Sequence, residues 1–260
     1  MKKILFAIFF AIPAAMLGQN GYEIAVTLKP FKNEFIYLAH YSGKQFPVVD
    51  SVKLNDKSQG VFRGDKALGG GIYLVVYPAK DKFIEILVDQ NQHFKMEADT
   101  TNPSVKKFTN SADNDLFIAY QQFMGTKGRA MEEGNKALKA ATNAKDSAEI
   151  TERIRKISAE VSAYRHDFIK KHPDNILSVL MHLMEEPKIP PAEQHPGGKY
   201  DSLFAYRYFK DHYWDNINFW DERITRTPAS LFDERLDKYF NSLVYQQPDS
   251  VIREIDWMLG

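Results

Sequence analysis

Between residues 200 and 220 the chain reads Tyr-Asp-Ser-Leu-Phe-Ala-Tyr-Arg-Tyr-Phe-Lys-Asp-His-Tyr-Trp-Asp-Asn-Ile-Asn-Phe-Trp, which puts nine of its 34 aromatic residues into 21 positions. Rings interleaved with Arg207, Asp211, Asp215 and Asn218 could build a stacking platform for a sugar or a peptide, with Tyr206, Tyr213, Trp214 and Trp220 as its surface. The competing reading makes them core, closing the place where a helix packs on its neighbours. We favour that reading, because aromatic side chains bury large areas in helical packing. Within and just past the window, Asp211, Asp215, Asp221 and Glu222 fall close together beside His212, and two acids at the right separation suffice to hydrolyse a glycosidic bond. A chain with 34 acidic residues produces such clusters on its solvated surface, so the surface reading is again preferred. Burial separates these readings: a platform needs exposed rings, and a hydrolase needs acids that converge in a pocket with at least one shifted pKa.

Other candidates are weaker. The seven histidines (His40, His93, His166, His172, His182, His195 and His212) contain no pair at the i, i+4 spacing of a helical zinc site. His40 and His93 fall in separate strand-like segments, and sequence cannot bring them together. Gly69-Gly70-Gly71 precedes a strand rather than a helix, so it does not cradle a phosphate and is read as a loop needing positive φ. No Gly-x-Ser-x-Gly elbow occurs. The absence of cysteine excludes a disulfide framework, a thiolate nucleophile and a dithiol centre within this sequence, and also the lipid-carrying cysteine of a lipoprotein. With 34 basic and 34 acidic residues there is no field for gathering nucleic acid. No catalytic residue, metal or cofactor is implied, and the chain is expected not to be an enzyme.

These residues sit on two halves of different periodicity. From residue 19 to about 110 the period is two: Tyr22, Ile24, Val26 and Leu28 alternate with Glu23, Ala25, Thr27 and Lys29. Similar runs follow at 35–41, 46–54, 60–63, 72–77, 83–88, 93–98 and 105–109, separated by turn residues. Eight closely spaced strands predict an antiparallel β-sandwich-like domain, since nothing here is long enough for helical crossovers. From 111 to 260 the period becomes three and four and predicts an all-helical domain, for an α+β chain overall. Ile150, Ile154, Ile157, Val161, Tyr164 and Phe168 follow a 4-3-4-3-4 spacing, so 112–171 reads as a long antiparallel helical hairpin, with an Asp146/Glu149 capping box opening its second arm. A short helix over 176–186 precedes residues 187–198, whose four prolines and two glycines make an ordered loop. Three further helices are expected at about 200–214, at 228–243 with Thr227 as cap and Pro228 first, and from Pro248 onward. In the last, Ile252, Ile255 and Leu259 share a face that wants more protein to pack on, so either the natural polypeptide continues past Gly260 or Gly260 is an ordinary helix stop.

Residues 1–18 combine Lys2 and Lys3, an apolar run from Ile4 to Leu17 and small residues up to Gly18, the pattern of a cleaved secretory signal peptide. The run is shorter than the ~20 residues of a membrane span. Loss of the two lysines leaves 32 positive against 34 negative charges. The expected location is therefore the periplasm or cell envelope, with no membrane span after cleavage.

The segments Val49-Asp50-Ser51-Val52, Gly60-Val61-Phe62-Arg63-Gly64, Gly71-Ile72-Tyr73-Leu74, Phe83-Ile84-Glu85-Ile86-Leu87-Val88-Asp89 and Phe94-Lys95-Met96-Glu97-Ala98-Asp99 resemble an uncharacterised β-rich module. That module stands at the N-terminus of exported thioredoxin-like (redoxin or TlpA-type) proteins of Gram-negative bacteria. His172-Pro173-Asp174-Asn175, Glu186-Pro187-Lys188-Ile189-Pro190 and Tyr206-Arg207-Tyr208-Phe209 resemble the helical module that often follows it. The resemblance implies a thioredoxin-like domain with a Cys-x-x-Cys pair, C-terminal or separate, as partner, and possible association with another envelope protein. It carries no catalytic residue onto this chain. The resulting expectation is a non-catalytic, exported accessory module, with a periplasmic glycan- or peptide-binding protein as the alternative.

Overall fold

The computed structural model describes residues 21–102 and 105–260; the segment 1–18, read above as a signal peptide, lies outside them. Eight strands come first: β1 (Tyr22–Lys29), β2 (Phe35–His40), β3 (Val48–Lys53), β4 (Gln59–Gly64), β5 (Gly71–Val76), β6 (Phe83–Val88), β7 (His93–Asp99) and β8 (Lys106–Thr109). Six α-helices follow: α1 (Ala112–Ala140), α2 (Ala144–Lys171), α3 (Ile176–Leu183), α4 (Ser202–Asp211), α5 (Phe232–Lys238) and α6 (Pro248–Leu259).

The strands form two four-stranded sheets, ordered β4-β1-β7-β8 and β3-β2-β5-β6. Ile24, Val26, Leu28 and Phe62 of the first sheet meet Ile36, Leu38, Tyr73, Val75 and Ile86 of the second in a sandwich core, as the alternation requires. One feature departs from an all-antiparallel arrangement: β1 pairs with β7 in parallel, Ile24 opposite Phe94 and Val26 opposite Met96. A parallel pair needs a long crossover. The intervening chain supplies it with strands of the opposite sheet instead of a helix.

The second sheet is covered on both faces. Ile72 and Leu74 of β5 and Leu87 of β6 point away from the sandwich core and pack with Phe117, Tyr120, Phe168, Leu177 and Leu180 of the helices. That is why Gly71 to Val75 is buried at every position: inward and outward residues are both covered. The α1–α2 pair is the expected hairpin, and Ile157 and Phe168 of its seam are buried. Gly134 permits the close approach, because a Cβ there would lie 2.9 Å from Ile154 Cγ1. The second arm opens on Asn143, whose side chain accepts from the Asp146 amide at 2.9 Å, rather than on an Asp146/Glu149 box.

Two more sequence expectations shift. The helix predicted from Pro228 begins only at Phe232, because 228–231 form a turn in which the Leu231 amide donates to the Pro228 carbonyl. It runs into a wide π-type turn over Tyr239–Leu243. A 3-10 segment, Glu222–Arg226, was not foreseen. The 187–198 loop is ordered by buried His195: its Nε2–H donates to the Pro190 carbonyl, while Nδ1 accepts the Asp201 amide at 3.0 Å. Asp201 in turn caps α4, so a histidine fixes the loop onto the helix that begins the aromatic window.

Candidate functional site

The window does not form one surface. Tyr213 and Trp214, 1% and 5% exposed, belong to a third apolar cluster with Tyr239, Leu243 and Val244. Helix α4 ends at Asp211, and the turn after it folds these two rings inward over Arg235 of α5, whose guanidinium lies 4.5 Å from the Tyr213 ring centre and 5.3 Å from that of Trp214. Tyr206 is exposed but its hydroxyl donates to the Leu243 carbonyl at 2.7 Å, while Trp220 stands 76% exposed. Tyr213 and Trp214 therefore cannot offer faces to a ligand. Ring spacing could not show this, because a helical projection fails once the helix stops.

The acids also separate. Asp215 pairs with His212 at 2.7 Å, Glu222 with Arg226 at 3.0 Å, and Asp221 with Arg223 at 2.7 Å, while Asp211 is exposed. Burial raises the Asp221 carboxyl, but hydrogen bonds from Arg223 outweigh that and hold it below the usual range. Arg223 also reaches Asp89 at 2.9 Å and the Asp174 carbonyl, tying the sandwich to the helical half. Burial pushes the Asp89 carboxyl up despite that arginine. These four acids do not converge: three pair with residues of their own segment and Asp211 faces solvent. Likewise His40 and His93 lie in different sheets, with Nδ1 of His40 on the Tyr41 carbonyl and Nε2 of His93 on the Gly21 carbonyl. Among the described residues no cluster of metal-ligating side chains occurs, and no helix is long and apolar enough to cross a membrane.

The glycine triplet does not adopt positive φ. It is a seat for two arginines: a Cβ on Gly70 would lie 2.8 Å from Arg223 Cγ, and one on Gly71 would collide with Arg226. The triplet thus belongs to the same junction as the Arg223–Asp89 pair.

Two features remain open to a ligand or a partner. One is a cleft of about 710 Å³ between the α1–α2 hairpin, the chain after α3, and α4 and α5. The window reaches it through Tyr208, His212, Asp215 and Asn216, not through the four rings singled out from sequence. The other is α6. Its inner side, Val251 and Met258, packs on the third cluster. Ile252, Ile255, Trp257 and Leu259 are exposed, and Trp220 is exposed near the helix's end.

Helix α6 has no fully buried residue and is fastened by Glu254, which accepts from Lys210 Nζ at 2.6 Å and from the Tyr239 hydroxyl at 2.7 Å. Burial raises the Glu254 carboxyl, but these bonds prevail and leave it below its ordinary value. A carboxylate held low stabilises the fold above its unfolded pKa and loses that contribution as pH falls through the folded one. Hydrogen exchange of the α6 amides, corrected for intrinsic rates, should therefore show protection at pH 7 that fades below about pH 4. Glu254→Gln should reduce the protection already at pH 7, and equal α6 protection in both proteins would refute the tether.

Fold and site together define an α+β chain, a two-sheet sandwich packed against a helical hairpin domain with a cleft and a bare terminal helix. Residues 141–260, α2 through α6, match the model of a domain of unknown function, DUF5106. No curated protein and no solved structure matches the chain.

Proposed function

We propose that this chain is a non-catalytic interaction module of the cell envelope, exported by the segment 1–18, and that its helical half docks a thioredoxin-like domain. The observation that carries this reading is the apolar face of α6. Ile252, Ile255 and Leu259 share one exposed side of an amphipathic helix whose other side, Val251 and Met258, already packs on the protein, while Trp257 projects elsewhere, against Phe219. Contiguous exposed apolar residues of this size mark interaction sites more often than free surface. The choice of partner rests on the sequence resemblance to the modules of thioredoxin-like proteins. The mechanism is positional: the helical domain holds a redox domain beside the sandwich and contributes no reacting group.

A photo-crosslinking residue placed at Ile255 in the full-length protein, expressed in its own host, tests this. The expected product joins α6 to a sequence bearing Cys-x-x-Cys, whether further along the same polypeptide or on a separate one, and it diminishes in Ile252→Asp. Crosslinks confined to proteins without such a pair, or recovery of the protein from the cytoplasm with residues 1–18 intact, would overturn the proposal.

A further inference from the structure

The cleft described above has an unbalanced lining. Its carboxylates are all engaged: Asp215 with His212, Glu185 with His182 at 3.3 Å, and Glu186 with Lys238. Its cations are not. Lys127 pairs with Glu160, but Arg165, Lys188 and Arg235 have no ion-pair partner among the described residues. Arg235 is 7% exposed and is held by the carbonyls of Leu183, Glu185 and Tyr213 through its two terminal nitrogens, while its Nε finds no acceptor. Arg165 uses none of its five N–H donors, and its Nε is buried and unsatisfied.

A guanidinium withdrawn from water without a counter-charge is costly, and native proteins leave few such groups unpaired. Here Arg235 is buried with Glu185 and Glu186 acting on it only through space, and Arg165, half-buried, has no ion-pair partner and a buried, unsatisfied Nε. The lining also includes Met124, Met131 and Met184, unbranched thioether side chains that adapt to flexible apolar chains. A volume of about 710 Å³ lies within the ordinary range for small-ligand sites.

We propose that this cleft binds a small amphiphilic carboxylate, its carboxylate on the free N–H fork of Arg165 and its apolar body along the three methionines. Arg235 and Lys188 supply the surrounding positive potential. Planar carboxylate matches the arginine fork in two parallel bonds. This site is separate from the α6 face, and neither proposal requires the other.

Titration of the full chain with decanoate, followed by calorimetry and by the emission of Trp214 beside Arg235, tests the assignment. Decanoate should bind about tenfold or more tightly than decanol, which has the same tail and no charge. Arg165→Gln should weaken decanoate by a similar factor without lowering the melting temperature, because that side chain holds no other group. Lys188→Gln, which removes part of the surrounding positive charge, serves as a second variant and should weaken decanoate by a smaller factor than Arg165→Gln, with circular dichroism checking its fold. N-acetyl-Leu-Leu with a free C-terminus distinguishes the source: tighter binding than decanoate points to a peptide end, weaker binding to a fatty acid, and either supports the site. Equal affinity for decanoate and decanol, unchanged affinity in Arg165→Gln, or no binding of either carboxylate would overturn it.

Discussion

Asn114→Ala should cost the protein about 3 kcal/mol of stability, from two buried backbone groups left unsatisfied at 1–3 kcal/mol each. Asn114 is wholly buried in the first turn of α1, against the free edge of β6. Its Oδ1 accepts the Leu87 amide and its Nδ2 donates to the Leu87 carbonyl, both at 2.8 Å, with a second donation to Ser111 Oγ at 2.9 Å. One side chain thus replaces a neighbouring strand at the position where the sheet meets the helical half. Alanine would leave both Leu87 groups without partners in a place water does not reach. For a chain of this size the melting temperature should fall by about 6–12 °C. Asn114→Asp should be nearly as damaging, since a carboxylate accepts from the amide but repels the carbonyl. A calorimetric melt of Asn114→Ala within 1 °C of the parent would show that Leu87 finds another partner.

The sequence made legible whatever depends on neighbours along the chain. Alternation exposed all eight strands, and the 4-3-4 spacing of Ile150 to Phe168 exposed the hairpin, because each signal repeats within one element. Pairing between distant segments left no such trace. The parallel β1–β7 register depends on residues about seventy positions apart, and the Arg223–Asp89 bridge spans 134. The aromatic window was visible as composition, but the inward turn after Asp211 decides that Tyr213 and Trp214 are core while Trp220 is bare. The cleft was invisible for the same reason. Arg165 and Arg235 are ordinary charged positions on their own helices, and their lack of ion-pair partners matters only because the fold makes both line one cleft. Asn114 carried one faint signal, a polar residue on the same helical stripe as Phe117.

Gly71→Ala should destabilise far more than Gly69→Ala, although both glycines lie under Arg226. A Cβ on Gly69 meets only the guanidinium end of that side chain, which can swing aside at little cost. A Cβ on Gly71 meets Arg226 Cβ and, at 3.1 Å, the Arg226 carbonyl oxygen, so relief requires the backbone of the 3-10 segment Glu222–Arg226 to lift off β5. Overpacking of this kind typically costs 1–3 kcal/mol, and about 3 kcal/mol is expected for Gly71→Ala against under about 1 for Gly69→Ala. Lifting the segment also draws Arg223 away from Asp89, so the loss should concentrate at the junction of the two halves. Hydrogen exchange should therefore rise across 221–227 in Gly71→Ala while the sandwich core around Ile36 and Val75 stays protected. Equal melting temperatures for the two variants would mean that the triplet is conformational after all, as its sequence first suggested, and that the arginines merely rest on it.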